Sequence, residues 1–227
     1  MSEVKTDKLS PRTGSGTVTL GTSGDTFTIP SGVTITNNGS SSGFDSGLAS
    51  VQVFTSSGTW TKPSGVTKVI VEVQGAGAGG CNSQANSSFA TSGSAGGYVK
   101  KLIDVSSIST STITVGAKGT GSATRTGNDG GDSVWSDGTN TLTAGGGNGS
   151  DGSSLVGTAG GTATGGDLNI QGGHGACANS GSGCSFFGDG GKEYARDASG
   201  YGAGGAYQYN GTGGNGTDGI VIVTEYK

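Results

Sequence analysis

Charge is scarce in this chain, with 12 Lys+Arg and 16 Asp+Glu in 227 residues and no basic run or stripe. A net charge of −4 spread this way argues against nucleic acid or an anionic membrane as the main partner, since both need clustered cations. No apolar stretch approaches the roughly 20 residues of a membrane-spanning helix, so membrane insertion is not expected. The opening Met1-Ser2-Glu3-Val4-Lys5-Thr6-Asp7-Lys8 carries charge where a secretory signal carries an apolar core, so synthesis in a cytosol without export by a signal is expected. Proline occurs three times and no Gly-X-Y period runs through the chain, which excludes a collagen-like triple helix.

The chemistry-bearing residues are as sparse. Cys81, Cys177 and Cys184 form neither a CxxC motif nor an even framework, so free thiols are expected, with a Cys177–Cys184 pair formed after release as the alternative. The single histidine, His174, has no second ligand at a zinc spacing, and neither metal nor cofactor is expected. Hydrolysis needs paired carboxylates, a nucleophile with a positioned base, or an open metal site. Asp189, Glu193 and Asp197 lie close in sequence but are read as polar turn residues. No catalytic residue is assigned, and the protein is expected not to be an enzyme.

What is abundant is glycine, 51 residues, against an ordinary usage near 7%. Glycine loses more backbone freedom on folding than any other residue, so this number implies a turn-dense fold, close backbone packing, or disorder. Disorder is disfavoured because the glycines lie between alternating β-branched runs in a chain of low charge. Residues 66–74 alternate over eight positions and 220–226 read Ile-Val-Ile-Val-Thr-Glu-Tyr, so strong strands bracket the glycine-rich stretch. Further strands are expected at 51–54, 58–61, 97–105, 112–115, 133–136 and 139–144, and no helix. Trp60 and Trp135 fall on strand patterns and are expected in the core. Between roughly residues 145 and 219 the glycines form either polyproline-II-like helices packed side by side or long surface loops.

Ahead of this domain, residues 1–12 are polar and are assigned as an attachment arm. Residues 13–48 contain three short alternating runs, Thr17-Val18-Thr19-Leu20, Thr26-Phe27-Thr28-Ile29 and Val33-Thr34-Ile35-Thr36, each with too few apolar side chains to stand alone. They are assigned as a short trimeric β-shaft. The fold class is thus all-β: a trimeric β-shaft, then a β-sandwich-like glycine-rich domain over 49–227 with polyglycine-II-like segments.

Gly213-Gly214-Asn215-Gly216-Thr217-Asp218-Gly219-Ile220-Val221 fits the calcium-binding nonapeptide pattern, but such rolls need tandem copies, and a tight turn feeding the last strand is expected instead. Residues 184–209 gather most of the aromatics of a small-residue region. Tyr194, Arg196, Tyr201, Tyr207 and Tyr209, with His174, are the candidate receptor-binding residues, because Tyr and Arg give rigid contact area at low entropic cost. Phe186 and Phe187 are assigned to the core, and Tyr207 and Tyr209 to the surface.

The run Phe54-Thr55-Ser56-Ser57-Gly58-Thr59-Trp60-Thr61-Lys62-Pro63-Ser64-Gly65-Val66-Thr67, followed by Val69-Ile70-Val71-Glu72-Val73 and glycines, resembles the start of the glycine-rich distal domain of bacteriophage tail fibres. Gly127-Asn128-Asp129-Gly130-Gly131-Asp132-Ser133, Thr143-Ala144-Gly145-Gly146-Gly147 and the closing 213–223 run follow the same order of motifs. Residues 26–37 are similar to short β-repeats near the N-termini of fibres of small tailed phages. The resemblance implies a homotrimeric virion component made in the host cytoplasm, held to tail or adaptor proteins by its N-terminus, and touching a host-surface glycan or protein with its distal domain. A head-decorating or spacer fibre without a receptor, and a calcium-dependent secreted adhesin, are the alternatives.

Overall fold

The computed structural model describes residues 47–83, 91–151, 156–176, 181–192 and 196–227, with 22, 26, 28 and 31–34 before them. The proposed arm of 1–12 lies outside the described residues, as does nearly all of the 13–48 shaft. The compact unit treated below runs Asp45–Lys227.

Among the described residues it is all-β. The strands are β1 (Leu48–Phe54), β2 (Gly58–Thr61), β3 (Lys68–Gln74), β4 (Asn82–Ser83), β5 (Tyr98–Asp104), β6 (Thr110–Thr114) and β7 (Ser133–Ser136). They continue as β8 (Thr141–Ala144), β9 (Ala163–Thr164), β10 (Leu168–Ile170), β11 (Phe187–Asp189), β12 (Ser199–Tyr201), β13 (Gln208–Tyr209) and β14 (Ile220–Tyr226). One five-stranded sheet has the order β1-β14-β3-β5-β10 and a second has β2-β6-β7-β8-β9; β11 pairs with β12 and β13 with β4. Both large sheets are antiparallel throughout. Strong alternation puts one face of each strand inward.

The two sheets pack as a sandwich. Val69, Val71, Val73, Val99, Ile103, Val221 and Val223 from the first meet Trp60, Ile113, Trp135, Leu142 and Ala144 from the second, all buried. The expected core tryptophans lie 5.3 Å apart in a tilted pair, a geometry that adds to their area burial. One inward position is charged. Glu225 is fully buried, and its carboxylate accepts from Trp60 Nε1 at 2.7 Å, from Gln52 Nε2 at 2.7 Å and from the Ser50 hydroxyl. Three donors supply what water would otherwise supply.

The outer faces of the two sheets differ. The second sheet turns Thr59, Thr112, Ser136 and Thr141 outward along one row of partners. The first turns out Val53, Ile222, Glu72, Lys100 and Leu168 along one row, and Val51, Thr224, Ile70 and Leu102 along the next. Toward Ile170 this face is capped by the β11 hairpin, where Phe186 stacks on Tyr98 at 4.3 Å. Tyr98 donates to Glu72 Oε1 at 2.5 Å, and burial, reinforced by this carboxylate, holds its hydroxyl above the ordinary tyrosine range.

The rest of the domain is a bundle of extended glycine-rich rods. Residues 75–81 continue β3 beyond the sandwich, and every one of them is buried. Their N–H groups point in three directions that repeat every third residue. Gly75 and Ala78 donate to Gly97 and Ser94; Ala76 and Gly79 to Gly131 and Asn128; Gly77 and Gly80 to Thr217 and Gly214. Their carbonyls accept with the same period, from Gly147 and Ser150, from Gly119 and Ser122, and from Gly205 and Gln208. A repeat of three with every bond going to a neighbouring segment is the signature of a polyproline-II-type helix, here the central member of a hexagonal array. Residues 92–97 form a second such centre, donating in turn to 173–176, 202–205 and 145–148.

Glycine is required here by distance. A Cβ on Gly77 would lie 1.9 Å from the Ala203 carbonyl oxygen, and one on Gly80 equally close to that of Ala206. The packed-helix reading of the glycines therefore holds, with two corrections. The rods begin at Gly75 and alternate with strands and hairpins from β3 to β14, so they are no insertion confined to 145–219. Residues 213–219 are one of these rods and make no tight turn before β14.

Candidate binding site at the loop end of the glycine bundle

The rods run alternately away from the sandwich and back. Residues 75–81, 116–122, 145–151, 171–176 and 202–207 leave it after a strand, and 91–97, 127–132, 157–162 and 213–219 return to one. The antiparallel pairings of 75–81 with 91–97, 127–132 and 213–219, and its parallel pairings with 116–122, 145–151 and 202–207, follow from the bond registers. The connections between outgoing and returning rods therefore gather at one end. Seven residues at ~3.1 Å each make this end about 20 Å from the sandwich.

The described part of that end is held by backbone and small polar groups. Gln208–Tyr209 pairs in parallel with Asn82–Ser83. Asn82 donates through Nδ2 to the Ala123 carbonyl at 2.9 Å, and its Oδ1 accepts from Gly211 N at 3.3 Å. Thr91 Oγ1 donates to the Asp151 carbonyl at 3.0 Å and accepts from Asp151 N at 2.7 Å. Asn210, at the turn after β13, has φ 52°, a left-handed conformation that asparagine tolerates better than most residues. Beneath these loops Tyr207 packs on Cys81, both buried.

The proposed receptor-binding residues are dispersed. Tyr209 is exposed at the loop end, and Arg196 is exposed at the same level, its carbonyl accepting from Ala206 N at 3.1 Å. Tyr207 is also at this end, but it is buried at 6% exposure, which corrects its assignment to the surface: residues 202–207 are an inner rod, and Tyr207 is where it reaches the Cys81 cluster. Tyr201 is at the opposite end of the same rod, half-buried beside the sandwich. It lines a cleft of about 160 Å³ with Lys118, Asp197, Thr217 and Asp218. His174 is exposed partway along its rod. Tyr194 and Glu193 lie outside the described residues, as does Cys177. Phe186 is corrected in the other direction, being 59% exposed.

Charges toward the sandwich end of the bundle are small local systems. Lys192 Nζ sits 2.8 Å from Asp189 and, with the Cys184 thiol donating at 3.2 Å, holds the Asp189 carboxyl below its usual range; the same contact raises the Lys192 ammonium. Cys81 and Cys184 are free thiols. Asp197 Oδ1 accepts from Asn215 N at 2.6 Å and Asp218 Oδ1 from Lys118 N at 2.8 Å, so the nonapeptide run is fastened to its neighbours through its own Asp218 and through Asp197. Among the described residues, no three His, Cys, Asp or Glu side chains gather as a metal site. Arg125 is exposed between Thr124, whose carbonyl accepts from Asn82 N, and Thr126, which bridges to Asp151, and so stands at the same end as the loops. Nothing in the sequence marks Asn82, Thr91 or Arg125 beyond their nearness to the ends of glycine runs.

No curated protein matches the chain. A family model described as a glycine-rich domain matches residues 49–226, a span that begins one residue into β1 and ends with β14 and so takes in both the sandwich and the bundle. Over that span the chain belongs to the glycine-rich domain family.

Proposed function

We propose that the protein is a non-enzymatic virion component of a bacteriophage: a homotrimeric tail fibre, held to tail or adaptor proteins through the residues preceding Gly47, that presents the loop end of its glycine bundle to a glycan or protein on the host surface. The observation that carries this reading is the polarity of the domain. Leu48 pairs with Tyr226, at the end of β14 remote from the bundle, whereas Phe54 pairs with Val221 beside it. The chain thus enters at one pole, and the loops of the bundle collect at the other. An adhesive tip needs that arrangement, and three-fold copies on several fibres make weak contacts strong. Tyr209, Arg196 and Arg125 are the exposed contact residues at this pole.

The spacer alternative gains weight from the burial of Tyr207 and the remoteness of Tyr201, which leave few aromatics at the loop end among the described residues. Light scattering after size exclusion tests the assembly, and a stable monomer overturns the trimer. Competition of host adsorption by the purified protein, with the Tyr209→Ala/Arg196→Ala variant beside it, tests the contact. A spacer fibre predicts no competition by either protein.

A further inference from the structure

The outer face of the β1-β14-β3-β5-β10 sheet exposes Val53 at 56%, Leu102 at 54% and Leu168 at 48%, with Val51 and Ile170 around them. In a chain with only 30% hydrophobic residues, this is the most conspicuous use of aliphatic side chains outside the core. The opposite sheet provides an internal control. Its outer face is built from Thr59, Thr112, Ser136 and Thr141, β-formers that suit a solvated pleat. Both sheets share one sandwich and one antiparallel geometry, so the contrast does not arise from the requirements of strand formation. Exposed apolar patches mark contact surfaces, and here the aliphatic side chains flank the Glu72–Lys100 ion pair on both sides.

We infer that this face lies against the same face of sister copies of this chain around the three-fold axis, an inference that rests on the homotrimer proposed above. The charges on the face are matched within the chain, Lys100 lying 3.5 Å from Glu72 in the middle of the sheet and Lys68 facing Asp104 at its end, so the face carries no excess charge against a second copy. Chain connectivity agrees: the 46 residues before Gly47 arrive at Leu48 on β1, the edge strand of this sheet. Size agrees as well. Four strands of seven residues and the three residues of β10, at ~4.8 Å by ~3.3 Å each, give a footprint on the order of 500 Å², and the side chains standing on it bring the covered surface toward the roughly 800 Å² per partner of a stable interface.

Hydroxyl-radical footprinting of the full-length protein, fractionated by size, tests this with Val156, 76% exposed, as the internal standard for an open aliphatic side chain. The expected result is an oligomer in which Leu102, Leu168 and Ile170 react several-fold more slowly than Val156. In the Val53→Lys/Leu102→Lys variant, Leu168 and Ile170 should regain fast labelling, while Thr112→Lys/Thr141→Lys on the opposite sheet leaves the pattern unchanged. The near-ultraviolet signal of the Trp60–Trp135 pair reports whether each variant is folded. An oligomer whose Leu102 and Leu168 label as fast as Val156 overturns this interface and leaves the trimer standing. A monomer with the face open overturns both. A monomer with the face shielded shows that the leading residues of the same chain cover it, and also overturns the inference.

Discussion

The sandwich and the glycine bundle solve the same problem with opposite materials. Each buries its backbone, but the sandwich does so with side chains as filler, Val71 and Trp60 among them, while the bundle brings carbonyl against α-carbon and leaves room mainly for small side chains such as Ala76 and Ala78. In the first, hydrophobic burial at about 25 cal/mol per Å² supplies the driving force. In the second, the polar backbone must be fully paired, because an unpaired buried N–H costs about 1–3 kcal/mol. The rods meet that condition by rotating their donors through three neighbours. Compactness by itself therefore says little about how a domain is held together.

The two halves should break in opposite ways. The largest effect is expected from adding atoms to the bundle: Gly77→Val requires the Ala203 carbonyl, otherwise 1.9 Å from the new Cβ, to retreat together with the rod that carries it. A loss of about 4 kcal/mol or more, or no folded product, is expected, and thermal melting of the variant measures it. In the sandwich the damage comes from removal. Val71→Ala should cost about 2 kcal/mol, and a variant as stable as the parent would show that the sheets close over the gap.

Glu225→Ala sits between these cases, since it strands Trp60 Nε1, Gln52 Nε2 and the Ser50 hydroxyl. About 2 kcal/mol is expected, read from denaturant midpoints, with Glu225→Gln milder because an acceptor remains. Smaller still is the β7–β8 turn. Burial by itself would raise the Asp137 carboxyl, but the N–H groups of Asn140 at 2.6 Å and Thr139 at 2.9 Å outweigh it and hold the carboxyl below the usual aspartate range. A depressed folded value means that the contribution is complete above the unfolded pKa near 3.9 and fades as pH falls through the folded value. The difference in melting temperature between parent and Asp137→Ala should therefore shrink below pH 4. The smallest expected change is at the loop end, where Tyr209→Ala should leave stability within about 0.5 kcal/mol while weakening host adsorption.

Much of this contrast could be read in advance, and unevenly. Period-two alternation located β3, β5, β7 and β14 closely, and the tryptophans fell in the core as their strand positions required. The bundle was harder, because a three-fold rod has no side-chain pattern to betray it. Its periodicity lies in the directions of N–H groups that all residues share, so the packed-rod reading was confined to roughly 145–219 and missed the runs starting at Gly75, Gly116 and Gly127. The same blindness misassigned two aromatics. Tyr207 is buried because an inner rod carries it inward, and Phe186 is exposed because β11 folds back over Tyr98 at the sandwich end. Neither fact is local. The loop-end residues Asn82, Thr91 and Asp151 became visible only once the rods were known to be antiparallel.

The three-residue repeat of the rods has a consequence for how such a protein can change. Inserting one residue within 75–81 would turn every following donor by 120° and aim it at the wrong neighbour, whereas inserting three would restore the directions and merely lengthen the rod. The described connections at the loop end carry no three-residue repeat: 123–126 and 208–211 are held by single bonds to Asn82 and by the Thr126–Asp151 bridge. The architecture thus separates a part that tolerates editing only in whole turns from a part bound by no such period. New surface chemistry can be tried at the tip without renegotiating the frame beneath it.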